Sequence, residues 1–433
     1  MATEVTAAAG NRRTTFVSIG EALAGHRNSL GILRLVLASA VIFHHSFPLI
    51  GIPDPFQSFS RGQSSIGSVA VAGFFAISGY LIAKSGTASD TVQFLWRRLL
   101  RIFPAYWTVL LVTAFVIGPA LWLISNRSLG EYFVEDGNGP VHYFTANWNL
   151  SIGTYGIHDL LASNTPYGRA TNGSVFNGSL WTLSYEWLCY LLIGALVLFG
   201  VLARARILVV AITIGLFFAQ VLNVVMPGAV PALTSLLSDG YFVQLTFTFM
   251  VGATFAMYSK QIPFDDRLGV LSALVLLATI RFGGYSSVGM IAGAYFVLYL
   301  GARLPKRVQW VGQKNDYSYG MYIYGFLVQQ VLASFGLWEL GYLPFSLLAL
   351  VVTFACAWLS WHIVEKNAMR LKDRGPGRGI AYYRNKFHRR AEGVARIPKI
   401  DDTTPEIPVA TTTDSLALAD PEPQPTRTST TKD

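Results

Sequence analysis

The sequence predicts an all-α fold, a polytopic membrane bundle of about ten transmembrane helices with both termini in the cytoplasm. Three observations predict it. The 433 residues are 52% hydrophobic and only 13% charged, where a soluble globular domain carries roughly 25% charged residues. Apolar runs of about 17 to 22 residues recur along the chain, and roughly 20 such residues cross a bilayer as a helix. Lysine and arginine fall on alternate connections between those runs.

Span one, 30–50, is the run "LGILRLVLASAVIFHHSFPLI". It comes after a stretch too polar for a signal peptide, so this helix is itself the expected targeting signal. Spans two and three, 66–84 and 102–124, flank the basic segment "FLWRRLLR", and span four, 180–201, opens on "NGSLWTLSYEW". Spans five and six are 206–226 and 240–258. Span seven, 268–281, is the shortest and is followed by span eight, 285–302. Spans nine and ten are 318–337 and 344–366.

The N-terminal segment and the even-numbered connections carry fifteen Lys or Arg, the odd-numbered ones only Arg61, Arg127, Arg169 and Arg281. Because short cytoplasmic loops collect basic residues, this alternation puts both ends inside. Three regions result: a cytoplasmic segment 1–29, a transmembrane domain 30–366, and a tail 367–433 that is first basic, then Pro- and Thr-rich. Residues 125–179, rich in Gly, Asn and Tyr, form the one external loop large enough to help hold a substrate.

The net charge is +9, but 13 of the 33 basic residues lie beyond the last apolar run. The excess therefore belongs to the tail and loops, where it suits membrane lipids rather than nucleic acid. Cys189 and Cys356 sit in apolar runs with no metal-ligand spacing around them, so they read as small core residues and no metal is expected.

Ionisable residues inside a span are expensive and point to function. In span one, Arg34 and His45 are eleven residues apart, almost three whole turns, so they share a face about 16 Å apart along the axis, while His44 points about 100° away. Glu186 enters span four at what the count places as the depth of His45, where a carboxylate could orient an imidazole base. On the inner side, Ser78 and Gly79 leave room for another backbone or a slim ligand. Arg98 and Arg101 share one helical face and suit phosphate. Glu365, ending the last span at the same surface, is the natural partner of one of these arginines.

In order along about 30–370, "LRLVLASAVIFHHSFPL", "GFFAISGYLIAK", "FLWRRLLRIFP", "NGSLWTLSYEW", "DYSYGMYIYGF" and "LSWHIVEKNAM" resemble the membrane-bound acyltransferase 3 family, bacterial enzymes that O-acylate surface glycans, some lipids and small molecules. The resemblance implies that Arg34 and His45 are the essential pair of the first helix and that Arg98 and Arg101 form an Arg-x-x-Arg site for acyl-CoA. It sets Glu186 and Glu365 at family acidic positions. The chain departs from the pattern at Glu365-Lys366-Asn367, where relatives commonly have Glu-x-Pro, and at Gly325, where many have His. Residues 367–433 are too few and too polar for the esterase-like domain of fused members, so the bundle is expected to act alone or with a separate partner.

The function implied is an O-acyltransferase of the bacterial cytoplasmic (inner) membrane. It would move an acyl group, acetyl foremost, from cytoplasmic acyl-CoA to a hydroxyl of an extracytoplasmic glycan or lipid-linked saccharide, alongside glycan-synthesis proteins. His45, Glu186 and Arg34 would be catalytic, and Arg98, Arg101, Ser78 and Gly79 would hold the donor. His45 would act as general base or carry the acyl group itself. A transporter or flippase of a lipid-linked or small glycan is the competing class, because intramembrane Arg, His and Glu also mark transport pathways; it has no need of a nucleotide-phosphate site.

Overall fold

The computed structural model describes residues 16–25, 28–134, 137–226, 237 and 239–386. Among the described residues ten long helices fall near the runs expected to span: α1 Leu30–Leu49, α2 Ile66–Gly86, α3 Thr91–Ile124, α4 Thr182–Leu198, α5 Ile207–Val225, α6 Gly240–Met257, α7 Asp266–Phe282, α8 Tyr285–Arg303, α9 Ser318–Ser334 and α10 Tyr342–Met369. Seven of them (α1, α2, α3, α5, α6, α8 and α10) are long and apolar enough to cross a membrane. The other three are 17 residues each. Among the described residues there is no strand.

The largest departure from the expected bounds is at α3. Asp90 caps it, accepting from the Gln93 amide at 3.0 Å, so the helix starts eleven residues before the expected 102 and carries Arg97, Arg98 and Arg101 in its first turns. A helix N-terminus favours such an acceptor, because its first amides have no partner inside the helix.

The core is built on the crossing of α2 and α6. A Cβ on Gly79 would lie 1.9 Å from the Phe249 carbonyl oxygen, and one on Gly252 would lie 2.1 Å from that of Ala76. Small residues let the two backbones touch, the packing that holds helices together where lipid removes the hydrophobic drive. Gly79 is thus a correction: what approaches it is the backbone of α6, with no room for a donor ligand. Polar bridges add to this packing, as where the buried Gln329 amide of α9 donates to the Ile42 carbonyl of α1 at 2.8 Å and to Ser46 Oγ at 2.7 Å.

Three helices contain a widened π turn, at Thr113–Ile117, Tyr285–Gly289 and Trp361–Glu365. The extra residue in such a turn rotates the next residues about the helix axis. In α10 it leaves Glu365 only 2% exposed, turned into the bundle.

The loop expected at 125–179 is compact. Its described part includes the helices Leu129–Val134, Pro140–Asn147 and Pro166–Thr171. Asn147 organises it, its side chain accepting from the Gly153 amide at 2.9 Å and its carbonyl from Tyr106 OH of α3 at 2.5 Å.

Candidate active site between the arginine cluster and the histidine pair

At one end of the bundle α1 brings Arg34, α3 brings Arg98 and Arg101, α10 brings Glu365, and the residues before α9 bring Asp316. Asp316 is the hub. Its Oδ2 accepts from Arg34 Nη1 and from Arg101 Nη2, each at 2.6 Å, while its Oδ1 accepts from Ser318 Oγ at 2.6 Å and the Ser318 amide at 3.2 Å. Desolvation pushes the Asp316 carboxyl up, but Arg34 and Arg101 outweigh it and, with the Ser318 bonds, hold it at about 2. Arg101 also pairs with Glu365 at 3.3 Å, the partner expected from the sequence, and lies over the rings of Tyr319 and Trp361. Arg98 is less engaged: its Nη2 donates to Ser85 Oγ at 3.1 Å and its buried Nε has no acceptor.

Toward the other end lie the histidines, in the last turns of α1. His44 Nδ1 is 3.1 Å from Asp54 Oδ2 in the connection to α2. Asp54 also caps the short helix Pro55–Phe59, accepting from the Phe56 amide at 2.9 Å, and its side chain is only 4% exposed. Beside His44, the His45 ring stands edge-on to Phe326 with centroids 5.1 Å apart, and among the described residues it makes no hydrogen bond.

Glu186 does not join them. Its Oε1 accepts from Tyr190 OH and, at 3.5 Å, from Ser78 Oγ. Ser78 lies eleven residues along α2 from Gly67, against which the His44 ring packs, and that is about 16 Å of helix. The expected pairing of His45 with Glu186 is therefore not formed. The cause is local: residues 177–181 run inside the bundle, where the Asn177 amide donates to the Ile323 carbonyl at 2.7 Å and Ser179 Oγ to that of Tyr322 at 3.3 Å. The helix consequently starts deeper than its sequence position implied.

Three cavities lie in a row between the two ends. A cup of about 320 Å³ opens among Arg97, Arg98, Arg101 and the segment after α10. Arg101 is common to it and to a narrow inner cavity of about 50 Å³, lined also by Arg34, Ser78, Glu186, Tyr190 and Tyr319. Val71, Thr182 and Tyr322 are common to that cavity and to a third of about 380 Å³, which holds His44, His45, Gln57, Trp181 and Gln244. The three cavities thus lie next to one another from the arginine end to the histidine end, each sharing wall residues with its neighbour.

Two carboxylates of the site carry only a weak signal in the sequence, although Asp316 opens the segment "DYSYGMYIYGF". Asp316 and Asp54 each precede a helix by one or two residues, in "DYS" and "DPF", where an aspartate reads as an ordinary cap. Asp54 does cap its helix, Asp316 sits one residue before the cap of α9 and accepts from the Ser318 amide and hydroxyl, and both also reach across to a cation or imidazole of another element. Among the described residues no group of three or more His, Cys, Asp or Glu is placed to hold a metal.

A family model described as acyltransferase domain matches residues 27–362. An O-acetyl transferase of Shigella phage Sf6 is 32% identical over 349 residues, covering 78% of this chain and 95% of that one. Nodulation protein 10 of Rhizobium leguminosarum bv. viciae is 28% identical over 80% of this chain and 95% of its own length. Acyltransferase MdmB of Streptomyces mycarofaciens is 30% identical over 129 residues, 30% of this chain. No solved structure matches. The family model spans α1 to the π turn of α10, the helices that enclose the adjoining cavities, and this chain is accordingly a member of the membrane-bound acyltransferase 3 family, a multi-pass enzyme that transfers acyl groups other than amino-acyl groups.

Proposed function

We propose that this acyltransferase takes an acyl group, acetyl foremost, from acyl-CoA on the cytoplasmic side and delivers it to a hydroxyl of a glycan or lipid-linked saccharide on the other side of a bacterial inner membrane. The observation that carries the reading is the file of cavities. A basic cup able to take phosphate stands at one end, a polar cavity with an unbonded imidazole at the other, and a narrow passage between them suits an extended thiol-linked arm. Fifteen Lys or Arg on one set of connections against four on the other support an inside location for the arginine end, with ten spans and both termini cytoplasmic.

In this reading Arg98 and Arg101 bind the donor's diphosphate through charge-assisted hydrogen bonds. The acyl thioester passes Arg34, Ser78 and Glu186 to reach the histidine cavity. His45 takes the proton of the acceptor hydroxyl as its oxygen attacks the thioester carbonyl, and the proton then goes to the departing thiolate. His44, held by Asp54, fixes the wall beside it. Thr182 and Tyr322, hydrogen-bonded to each other, line the junction where the carbonyl would arrive and can donate to its developing charge. Glu186 and Arg34 act one cavity earlier, at the arm.

The test is transfer by purified protein from radiolabelled acetyl-CoA to surface glycan or lipid-linked saccharide extracted from cells that lack the gene. Acid-stable, base-labile label on the saccharide is expected. Absence of acyl-CoA turnover with short and medium acyl donors would overturn the reading.

A further inference from the structure

After α10 the chain doubles back along the first turns of α3. The Leu371 carbonyl accepts from the Trp96 indole at 3.0 Å, the Gly377 carbonyl from the Gln93 amide at 2.8 Å, and the Ile380 amide donates to Asp90 at 2.9 Å. Asp373 pairs with Arg97 at 2.9 Å. Gly377 sits where a Cβ would come within 1.9 Å of the Lys372 carbonyl oxygen and 2.9 Å of the Trp96 ring. These contacts fix 371–380 as a strap, and the chain from Met369 into that strap supplies one wall of the arginine cup through Met369, Lys372 and Asp373.

Charges in the cup are unequally matched. Arg101 is taken up by Asp316 and Glu365, and Arg97 by Asp373. Among the described residues Arg98 has no carboxylate partner, its Nη2 donating to Ser85 Oγ, and the Lys372 ammonium has neither hydrogen bond nor ion pair. Two cations without a paired carboxylate therefore line one cup from different elements, α3 and the segment after α10. A single small anion would meet one of them. An extended ligand with phosphates at two places would meet both.

We propose that Lys372 forms a second phosphate subsite that reads the 3′-phosphate on the donor's ribose, while Arg98, with Arg101, takes the diphosphate. The proposal rests on the acyl-CoA reading above and orders the donor within the cup. The cup and the inner cavity share Arg101, so in this reading the arm leaves the cup there. The diphosphate comes next to it, and the ribose phosphate, further from the thioester, falls at the solvent rim where Lys372 stands. Asp373, paired with Arg97 at that rim, keeps the strap closed without occupying Lys372.

The experiment compares acetyl-CoA with 3′-dephospho-acetyl-CoA as donors for the full-length protein in detergent, in wild type and in Lys372→Gln. Because Lys372 is exposed, the variant is expected to fold. Its KM for acetyl-CoA should rise roughly tenfold, the worth of one charge-assisted contact, with kcat unchanged. Wild type should show the same rise when the 3′-phosphate is removed, and the variant should suffer no further loss. Arg374→Gln, the same charge change on the strap outside the cup, should leave both donors unaffected. Equal losses with both donors would assign Lys372 to anionic lipid headgroups or to the strap itself and overturn the subsite, as would no loss with either. Wild-type protein inert with both donors would sink the acyl-CoA reading along with it.

Discussion

At the arginine end, Arg34, Arg101, Asp316 and Glu365 are joined in one network of ion pairs, with Asp316 using both its oxygens. At the histidine end, among the described residues, the only ion-pair geometry is His44 with Asp54, and His45 faces a cavity of about 380 Å³ with no bonded partner. Those four residues are mutually paired while the second region is left open, although both lie within one bundle and touch α1. A charge-saturated network is costly to break, because removing one member strands the others where water cannot replace it. An unbonded imidazole keeps its lone pair for an incoming hydroxyl. The contrast assigns the arginine end to holding and the histidine end to chemistry, and substitutions can test that division.

The largest effect is expected at His45. His45→Ala should leave the protein inserted and able to bind donor, and should reduce transfer by roughly 10²–10⁴-fold, the usual contribution of a positioned acid–base group. Transfer at matched membrane levels measures it. A larger loss in His44→Ala would hand the base role to the His44 and Asp54 pair and reverse the reading of that cavity.

At the other end the damage should appear first in the folded protein. Asp316→Ala leaves two guanidinium groups without their carboxylate, a cost on the order of 3–5 kcal/mol for a buried pair broken from one side. Monodisperse yield in detergent and thermal unfolding report it. A variant with normal yield and melting but no turnover would show that Asp316 handles substrate, and the division between holding and chemistry would fail there.

Asp54→Asn is a smaller perturbation, since asparagine still caps the Pro55–Phe59 helix while the charged partner of His44 is lost. Transfer should fall roughly tenfold, by the worth of one charge-assisted hydrogen bond. His44→Ala should match it, and the double variant should be no worse than either alone because both remove the same bond. Additive losses would mean that the two residues act separately.

The smallest effect concerns pH. Asp316 is held at about 2 against the ordinary 3.8. A depressed carboxylate contributes stability that is fully present above 3.8 and is lost as pH falls toward 2. Wild type should therefore lose the part of its melting temperature that Asp316→Asn lacks only as pH falls below about 4, read from melting curves taken between about pH 5 and the lowest pH the protein tolerates. Melting curves of wild type that stay parallel to those of the variant down to about pH 2.5 would show that the Asp316 carboxyl is not held down by its arginines.

The hydropathy pattern made the ten helices legible, because each long apolar run has to satisfy its own backbone as a helix in lipid. The arginine pair and its Glu365 partner were legible for a related reason: a charge at the end of a span stands out against its surroundings. Neither signal reports which helices meet. Glu186 and His45 match in depth only when residues are counted from a presumed surface, and the count fails where 177–181 run inside the bundle and start α4 deep. Gly79 left a choice between ligand and backbone, decided by the carbonyl of Phe249 on α6.

The sequence by itself determined the membrane class, the places of the helices, the family motifs and the ionisable residues worth pursuing, since all of these depend on local polarity and spacing. Only the tertiary structure decided that Asp316 bridges Arg34 and Arg101, that Asp54 meets His44 while Glu186 meets neither histidine, and that three adjoining cavities lie between the two ends. Those facts are distances between residues up to 282 positions apart in the chain. They arise from helix crossings and from where loops re-enter the bundle, and the period of a single helix carries no record of either.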